Sequence, residues 1–459
     1  MKKLITRLVL TYLRVCAVIA VRRAHPCIIG ITGSVGKTST RDALFAILKD
    51  SHKTYVIKKG NSETGIPLGL LGLTVHSIGF DSLHKSIKDW MRLIVQAPMR
   101  THFLKKYTHV IVEMGIDEPT PPKNMRYLLK IIQPEIAVVL NVYPVHAQQF
   151  ERVVSAPITQ AKILHAIASE KSRIITDNPA CRCAIWNTDS LVLHEFLHDI
   201  RGPHYTFGTA EDNTLSWKDY SISESHSRFV LTHSREGDIE LTFRGFLLPR
   251  GFQEVFASAL LVGEHLGLSY EDMVASLEKN FTLEPGRSSL LAGVDDTILI
   301  DSSYNSSPEA VLTMLELAKS LKDTLNRPLV FVCGDMRELG KQAVSEHTRI
   351  LEACKKDVDY VYTVGPLSRK HIHEPLVPHS RIKSLAFEGP HDVGRYLKHN
   401  LPPKAIVLFK GSQNTLFLEE AIKYVLADSE DSKALARQED YWMRKKQFDL
   451  QTDPLEKIV

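Results

Sequence analysis

One short segment of this 459-residue sequence combines glycines, a lysine and hydroxyl side chains in a pattern that can bind phosphate. It reads CIIGITGSVGKTST over residues 27–40, and the apolar residues after it keep a helical period. A strand, a glycine-rich loop and a helix in this order present backbone N–H groups and a helix N-terminus to phosphate oxygens. Because Gly30 stands one residue too far from Gly36 for the commonest spacing, we interpret the loop as T-G-x-x-G-K-T.

The residue types of this loop predict a nucleotide site. The Lys37 ammonium would reach the β- and γ-phosphates, and the Thr38 hydroxyl would bind Mg²⁺. A glycine-rich structural turn is the alternative, which the strand–loop–helix order disfavours. The predicted nucleotide-binding residues of the loop are Thr32, Gly33, Ser34, Val35, Gly36, Lys37, Thr38 and Ser39.

Two further apolar runs end in side chains that could hold a metal. The run YTHVIVEMG (107–115) ends at Glu113, and EIAVVLN (135–141) leads through Asn141 to His146. A carboxylate and an imidazole at strand ends beside a phosphate loop would form a Mg²⁺ site. Taken alone, His146 is typical of a surface loop, and the neighbouring phosphate loop favours its interpretation as a ligand.

The elements that must position these residues predict an α/β protein. We expect a basic apolar segment (1–26), a central P-loop domain with a parallel sheet (27–285), a C-terminal Rossmann-like α/β domain (286–427) and a charged tail (428–459). Alternating short runs predict a β-rich insert at about 203–247, and Glu284-Pro285-Gly286-Arg287 is the predicted linker. Predicted strands are 27–32, 54–58, 108–114, 135–141, 172–176, 297–301, 328–333, 359–364 and 405–409. Predicted helices are 252–266, 271–279, 308–321, 345–355, 391–399 and 415–426, and the tail is expected to fray or to form a peripheral helix.

The charge distribution excludes a general nucleic-acid-binding surface. The chain has 57 Lys and Arg against 53 Asp and Glu, a net charge of +4. Residues 1–23 hold six of the basic residues and no acid, so the remainder is nearly neutral at −2. The six scattered cysteines predict reduced thiols in a cytoplasmic protein.

The apolar segment at the N-terminus is too interrupted by arginine to span a bilayer. Its longest uninterrupted apolar stretch, residues 15–21, has seven residues. Two interpretations stay open for residues 1–23. They form either a helix packed on the domain's own surface or an amphipathic helix in peripheral contact with the inner face of a membrane.

The ordered motifs of this chain resemble those of the Mur ligase family, most closely its MurF branch, the UDP-N-acetylmuramoyl-tripeptide–D-alanyl-D-alanine ligases. The resemblance covers residues 28–425, and DSSYN-x-x-P followed by GDM-x-ELG points to this branch. The motifs are ITGSVGKTST (31–40), NSETGIPLGLL (61–71), VEMG (112–115), QPEIAVVLNVYPVH (133–146), TFG (206–208), EPGR (284–287), DSSYNSSPEA (301–310), GDMRELG (334–340) and KGS (410–412).

This resemblance implies an ATP-dependent amide ligase of peptidoglycan precursor synthesis, with ATP and Mg²⁺ as cofactors. The γ-phosphate of ATP would pass to a substrate carboxylate, and an amine such as D-Ala-D-Ala would then displace phosphate from the acyl phosphate. Most of the catalysis would come from two effects. The metal and the lysine would offset the negative charge that grows on the transferred phosphoryl group, and the site would hold the reactants in position. The expected partners are therefore small molecules, a carboxylate acid and an amine.

The resemblance also implies roles for individual residues. Glu113 and His146 match the family's Mg²⁺ ligands, and Asn141 matches an asparagine close to the nucleotide. Lys162 matches a carbamylated lysine that helps to hold a second Mg²⁺, although its sequence context alone favours a helix-surface lysine. The implied catalytic residues are Lys37, Asn141, His146 and Lys162; the metal ligands are Thr38, Glu113, His146 and Lys162; and the further nucleotide contacts are Arg287, Asp301, Tyr304 and Asn305.

Three departures from the family concern substrate recognition. The family's first, UDP-binding domain has no counterpart before the strand at residue 27, which implies a partner chain, a shortened substrate or a different acid. The family's G-x-H-N-x-x-N helix opening reads GFQEVFA at 251–257, and its KGSR reads KGSQ at 410–413. Two alternatives therefore stay open: a ligase for another acid, such as a folate or polyamino acid, and a nucleotide-binding scaffold without ligase activity.

Overall fold

Apolar strands and the helices between them build two β-sheets in the computed structural model, which describes residues 2–58, 60–73, 87–144, 147–336, 339, 342–378, 381–411 and 416–451. The predicted α/β class is confirmed. The chain divides into two compact units. The first comprises residues 1–219, 230–241 and 251–281, and the second comprises residues 220–229, 242–250 and 282–459.

The larger sheet has nine strands. They are Cys27–Thr32 (β1), Thr54–Val56 (β2), His109–Glu113 (β3), Ile136–Val139 (β4), Cys183–Asn187 (β5), His204–Gly208 (β6), Leu215–Ile222 (β7), His226–His233 (β8) and Gly237–Arg244 (β9). Their spatial order is β2-β3-β1-β4-β5-β6-β7-β8-β9, and all neighbours from β2 to β7 run parallel. Every residue of β3, β4 and β5 is buried, as expected for parallel strands covered on both faces.

The described residues between 2 and 280 also supply ten helices. They are Lys2–Ala24 (α1), Lys37–Leu48 (α2), Gly65–Leu70 (α3), Ile87–Met99 (α4), Met125–Leu128 (α5), Ala147–Phe150 (α6), Gln160–Thr176 (α7), Leu191–Leu197 (α8), Phe252–His265 (α9) and Tyr270–Asn280 (α10). Short 3₁₀ turns cover Arg100–Lys106 and Glu151–Val153.

The β-rich stretch predicted at 203–247 extends the larger sheet. β7, β8 and β9 are neighbours joined by three-residue connections, so these strands must run antiparallel. Residues 220–229 and 242–250 group with the second unit, and the other residues of this stretch group with the first.

The N-terminal helix α1 packs on the first unit. Leu13, Cys16, Ala17 and Ala20 are buried in the same apolar cluster as residues of the sheet. At its end the Arg23 guanidinium donates to Thr101 Oγ1 at 2.7 Å. Searching the described part of the chain finds no helix with the length and apolarity needed to cross a bilayer.

The strand predicted at residues 172–176 is wrong, since these residues form the last turns of α7. Ile163, Ile167, Ile174 and Ile175 are buried at helical spacing, and the short run SRIIT continues that stripe. An apolar run of this length does not distinguish a strand from a buried helix end. The strand comes later, as β5.

The second unit has a six-stranded sheet. Its strands are Ser289–Ala292 (β10), Ile298–Ser302 (β11), Leu329–Gly334 (β12), Tyr360–Val364 (β13), Lys383–Phe387 (β14) and Ile406–Lys410 (β15). The order is β10-β11-β15-β12-β13-β14, parallel throughout except for the antiparallel edge strand β10. The sequence did not predict β10 or β14, which are edge strands with mostly half-buried residues.

The second unit's helices are Pro308–Leu325 (α11), Ala343–Asp357 (α12), Pro366–Ser368 (α13), Glu374–Leu376 (α14), Pro390–Asn400 (α15), Glu419–Ile422 (α16) and Asp440–Gln451 (α17). A π-helical turn covers Arg369–His373, and 3₁₀ turns cover Val294–Asp296 and Ser429–Ala434. The helix predicted at 415–426 is wrong in length, because within its described part only the turn α16 is helical. The tail carries the helix α17, whose Lys446 is buried against Glu419 and Glu420 at 3.0 and 2.6 Å.

Candidate active site

The phosphate loop lies at the carboxyl edge of the larger sheet, in the middle of its parallel strands. β1 pairs with β3 on one side and with β4 on the other, with Ile31 opposite Glu113 and Thr32 opposite Val139. The three strands therefore end at the same edge of the sheet. The loop 33–36, Glu113 and Asn141 all lie at this edge. Ligands of open α/β sheets bind at such an edge.

Two glycines near the loop have different tasks. A Cβ on Gly30 would lie 2.3 Å from Pro134 Cγ, so this glycine of β1 permits close packing against Pro134 and is not a loop residue. Gly36 has φ 86°, a left-handed conformation that favours glycine, and it forms the N-cap of α2. The interpretation of the loop as T-G-x-x-G-K-T agrees with this division of roles.

Asn141 clamps the phosphate loop from the end of the neighbouring strand. Its Oδ1 accepts hydrogen bonds from the backbone N–H groups of Ser34 and Val35, each at 3.0 Å. Its Nδ2 donates to the carbonyl oxygen of Val35 at 3.3 Å. The Ser34 hydroxyl also donates to the Tyr143 carbonyl at 3.0 Å. The loop conformation therefore depends on a residue more than 100 positions later in the chain.

Lys37 and Thr38 start α2 beside the carboxylate of Glu113. Lys37 Nζ donates to the carbonyl oxygens of Gly33 and Ser34 at 2.7 and 3.1 Å, so the ammonium folds back over the loop. Thr38 Oγ1 donates to Glu113 Oε2 at 3.1 Å. The other carboxylate oxygen, Oε1, accepts from Arg41 Nη1 at 2.7 Å. Arg41 lies one helical turn after Lys37 and Thr38, and this spacing could have predicted its place.

Burial shifts the protonation of both charged groups in this cluster. It lowers the pKa of Lys37, an effect that the charges of Glu113 and Asp117 oppose. It raises the pKa of Glu113, against the opposite influence of Arg41, Thr38 and Lys37. A half-buried ammonium and a buried carboxylate at a sheet edge are suited to act on a strongly charged ligand.

The remaining predicted loop residues line the same turn. Thr32 is buried and its hydroxyl donates to the Met114 carbonyl at 2.9 Å, which ties β1 to the end of β3. Val35 is half exposed at the tip, and Ser39 lies in the first turn of α2. His146 lies outside the described residues, so the predicted imidazole ligand stays a prediction.

Lys162, in the first turn of α7, forms its side-chain hydrogen bonds within its own segment. Its Nζ donates to the carbonyl oxygens of Ser155 and Pro157, each at 3.1 Å. A different lysine of α7 lies near the site. Lys171 is 4% exposed, and burial together with the charge of Lys37 lowers its pKa well below the ordinary value. It falls one turn after Ile167 and one turn before Ile175, so its position on the buried stripe could have been read from the sequence.

A second unpredicted residue, Glu254, supports the Asn141 clamp. Glu254 Oε2 accepts from Asn141 Nδ2 at 2.6 Å, and Asn187 also donates to this carboxyl group. Burial raises the pKa of Glu254 to about 7, and the negative charge of Asp189 adds to this shift. Glu254 stands where the family motif G-x-H-N-x-x-N has its asparagine. The departure noted in the sequence therefore changes which group faces the clamp.

The second unit carries its own cluster of predicted nucleotide contacts. Asp301 is fully buried at the end of β11, and its Oδ1 accepts from the Ser303 N–H at 3.0 Å. Its Oδ2 has no hydrogen-bond donor among the described residues. Lys410, at the end of the adjacent β15, donates to the carbonyls of Ser302 and Asn305. Burial lowers the pKa of Lys410 to about 8, although the charge of Asp301 opposes the shift.

Tyr304 is held between two arginines in this cluster. The guanidinium carbons of Arg287 and Arg437 lie 5.0 and 5.1 Å from its ring centre. The Tyr304 N–H also donates to the Gly286 carbonyl at 3.0 Å, which joins the predicted linker 284–287 to the turn after β11. The structure therefore brings Arg287, Asp301, Tyr304 and Asn305 together within the second unit.

The oxygen donors of the phosphate loop fit Mg²⁺. Thr38 and Glu113 place a hydroxyl and a carboxylate side by side at 3.1 Å. The described residues contain no cluster of three or more His, Cys, Asp or Glu side chains arranged for a metal. Mg²⁺ commonly binds to one or two protein oxygens and completes its shell with phosphate oxygens and water, so two donors beside a phosphate loop suffice.

Two family descriptions match the chain. "Mur ligase middle domain" matches residues 31–246, and "Mur ligase, glutamate ligase domain" matches residues 286–413. These ranges contain the phosphate-loop cluster and most of the residues around Asp301. The family resemblance inferred from the sequence motifs is confirmed.

Curated relatives and solved structures agree with this result. The chain is 24% identical to the UDP-N-acetylmuramoyl-tripeptide–D-alanyl-D-alanine ligases of Buchnera aphidicola and Bacillus subtilis. These matches cover 87% and 86% of this chain and 76% and 75% of those proteins. MurF from Acinetobacter baumannii superposes with a TM-score of 0.66 at 21% identity, covering 89% of this chain and 79% of that one. MurF from Thermotoga maritima in complex with ADP also gives 0.66, at 20% identity and 90% and 83% coverage.

Proposed function

We propose that this chain, which belongs to the Mur ligase family, uses ATP to join a muramoyl-peptide carboxylate to the amine of D-Ala-D-Ala or a similar dipeptide. ATP-dependent formation of a carbon–nitrogen bond in peptidoglycan precursor synthesis is the activity of the relatives it matches. The observation that carries the proposal is the cluster of Lys37, Thr38 and Glu113 on a phosphate loop clamped by Asn141. The proposed substrates are small molecules.

The loop residues would act mainly by binding and orienting ATP. Lys37 would exchange its bonds to the Gly33 and Ser34 carbonyls for phosphate oxygens, and the loop N–H groups would hold the β-phosphate. Thr38 and Glu113 would hold Mg²⁺, which offsets phosphate charge when bound. A carboxylate oxygen of the acid then attacks the γ-phosphorus and ADP leaves. The amine attacks the resulting acyl carbon, loses a proton, and phosphate departs.

We propose Lys162, the residue that matches the family's carbamylated lysine, as the site of the carbamate, and Lys171 as the alternative. A lysine must be a neutral amine to add CO₂, and burial, together with the charge of Lys37, lowers the pKa of Lys171. Lys162 donates hydrogen bonds within its own segment, whereas Lys171 is buried. A carbamate there would turn an unfavourable buried cation into an anion that a metal could neutralise.

In the second unit, the unpartnered Oδ2 of Asp301 supports a ligand contact. A buried carboxylate oxygen without a donor is costly, and a hydroxyl or amine of a nucleotide would supply one. Tyr304 and Asn305 follow in the same turn, and Arg287 covers the Tyr304 ring. We propose that these four residues contact the nucleotide.

Release of ADP by the purified full chain tests the function. The reaction is run with a UDP-muramoyl tripeptide and D-Ala-D-Ala, and then with each substrate omitted. Turnover that needs both substrates is expected, and Lys37→Met is expected to abolish it. ADP release that ignores both substrates contradicts the MurF-like proposal. If the chain binds ATP but shows no turnover with any acid, the scaffold alternative is supported. Turnover with a folate or a polyamino acid supports the alternative of a ligase for another acid.

The assignment of the carbamate is tested with a matched pair of lysines. Lys162→Ala is expected to lose ligation and to recover part of it with added formate or acetate, while Lys171→Ala keeps turnover. Incorporation of isotopically labelled bicarbonate, followed by NMR, should give a carbamate signal that Lys162→Ala alone removes. The reverse pattern moves the role to Lys171. Peripheral membrane contact of residues 1–23 and a partner chain for the nucleotide sugar also stay proposals.

A further inference from the structure

The outer face of α1 is apolar although the helix is already packed on the first unit. Its inner face is buried through Leu13, Ala17 and their neighbours. On the opposite side Leu8, Val15 and Ile19 are 62%, 49% and 36% exposed. Packing within the unit therefore satisfies one face of the helix and leaves the other in water.

The neighbouring helix α4 repeats this arrangement. Leu93 and Ala97 are buried, whereas Met91, Ile94, Val95 and Met99 follow an exposed stripe at helical spacing. Val95 and Met99 are the most exposed of these, at 66% and 77%. Of the 16 large apolar side chains that are exposed in the described part of the chain, seven lie on α1 and α4. This concentration is unlike the scattered single residues of an ordinary surface.

The two stripes belong to one surface. Helices α1 and α4 are in contact, and the Tyr12 hydroxyl of α1 donates to the carbonyl of Ile94 in α4 at 2.9 Å. Arg23 at the end of α1 bonds to Thr101 and His102 in the turn that follows α4. We call this the α1–α4 surface, defined by Leu8, Val15, Ile19, Met91, Ile94, Val95 and Met99.

Basic residues accompany the α1–α4 surface on both helices and on the turn after α4. Residues 8–25 and 91–106 contain seven Lys or Arg and no acid. These two segments carry a net charge of +7, whereas the whole chain carries +4, so the remainder is −3. Arg22, Arg92, Arg100, Lys105 and Lys106 are exposed.

We propose that the α1–α4 surface docks on an anionic lipid bilayer. Helices that lie in the plane of a membrane bury an apolar face at the level of the acyl chains while their basic side chains meet anionic headgroups. A second copy of this chain is disfavoured, since it would bring two strongly positive surfaces together. The charge of the surface therefore selects a negatively charged occupant, and its parallel apolar stripes fit a fluid apolar layer.

Co-sedimentation of the full chain with lipid vesicles tests the docking surface. Vesicles of phosphatidylcholine alone are compared with vesicles that also contain phosphatidylglycerol. Wild-type protein is expected to partition into the anionic vesicles, and high salt should weaken this binding. The double variant Val95→Asp, Met99→Asp should bind at least roughly tenfold more weakly, because it places charge on the apolar stripe. Arg92→Gln with Arg100→Gln should weaken binding roughly fivefold per arginine.

Leu191→Asp is the matched control, because Leu191 is an apolar residue of the first unit that is 78% exposed but lies on α8. It should bind vesicles like wild type. All variants change exposed side chains, so each is expected to melt at the wild-type temperature and to release ADP at the wild-type rate. Normal ADP release with weakened vesicle binding distinguishes a failure of membrane docking from a failure of the ligase function. Equal binding to both vesicle types, or wild-type binding by the double variant, overturns it. Two further results also overturn it. In one, the double variant changes the oligomeric state of the protein; in the other, the wild type binds an acidic protein rather than vesicles and the double variant loses that binding.

Discussion

At the scale of single residues, the burial of Glu254 beside Asn141 makes the stability of the fold sensitive to pH. In the folded protein the pKa of Glu254 is about 7, whereas the ordinary pKa of a glutamate side chain is 4.5. Between these values the folded state binds more protons than the unfolded state, so rising pH favours unfolding. We expect wild type to lose about 2 kcal/mol relative to Glu254→Gln between pH 5 and pH 8. Urea unfolding of both proteins at the two pH values measures the difference.

The glutamine variant keeps an oxygen that can accept from Asn141 Nδ2, so the clamp itself should survive. A parallel pH dependence in the two proteins contradicts the prediction. Asp189→Asn is a useful control, since removing that negative charge should lower the pKa of Glu254 and move the loss of stability to lower pH.

Site residues that belong to a contiguous motif could be identified from the sequence. Those whose role depends on contacts between distant positions could not. Lys37 and Thr38 follow from a contiguous motif. Lys171 required comparison of lysines along one helix, and only its place on the buried stripe of α7 distinguishes it from Lys162. Glu254 depends on a contact across 113 positions, which no local pattern specifies.

At the scale of elements, the packing of β1 against the segment before β4 depends on a glycine. A Cβ at Gly30 would lie 2.3 and 2.8 Å from carbons of Pro134 and 3.1 Å from Ile174 of α7. We expect Gly30→Ala to lower the free energy of unfolding by about 2–3 kcal/mol because β1 and Pro134 must separate. Gly251→Ala is the control. Gly251 has helical dihedrals and no atom within 4 Å of its ideal Cβ position, so its change should stay within about 1 kcal/mol. Equal effects contradict the packing argument, and chemical denaturation measures both.

The tail helix α17 is anchored by one buried lysine. Lys446 contacts Glu419 and Glu420, of which Glu419 is fully buried, and Arg437 approaches the same carboxylate at 3.6 Å. Lys446→Ala leaves buried negative charge with too little compensation and should cost about 3 kcal/mol. Arg444→Ala, an exposed change on the same helix, should cost less than about 0.5 kcal/mol. Thermal melting compares the variants, and similar melting temperatures show that α17 is not anchored in this way.

The elements that the sequence predicted well are those with long or fully buried apolar runs. β1, β3, β4, β12 and β15 agree with their predicted positions to within two residues. The strand expected at 172–176 and the helix expected at 415–426 are wrong because short apolar runs fit either structure, and their neighbours decide the outcome. Edge strands such as β14 lack the continuous apolar run and were missed.

At the scale of the whole molecule, the two units carry separate spectroscopic reporters. Of the four tryptophans, Trp442 belongs to the second unit, and Trp90, Trp186 and Trp217 belong to the first. ATP with Mg²⁺ at a hundredfold excess over its Kd should stabilise the unit that binds it by about 2.7 kcal/mol. In the variant Trp442→Phe, whose fluorescence reports the first unit alone, we expect ATP to shift the unfolding curve. Lys37→Met in the same background should remove the shift, and a shift that survives places the main nucleotide contacts elsewhere.

The Asn141 clamp also fixes when during synthesis the chain can first hold a nucleotide. The bond from Ser34 to Asn141 closes a loop of 107 residues, and β1 finds both its partners, β3 and β4, far downstream. A nascent chain that has emerged only through α2 has the complete motif but neither its neighbouring strands nor its clamp. Because such long-range pairings form slowly, nucleotide capture on the ribosome should not begin before residue 141 has left the exit tunnel. The motif is contiguous in sequence, but its function begins only with the fold.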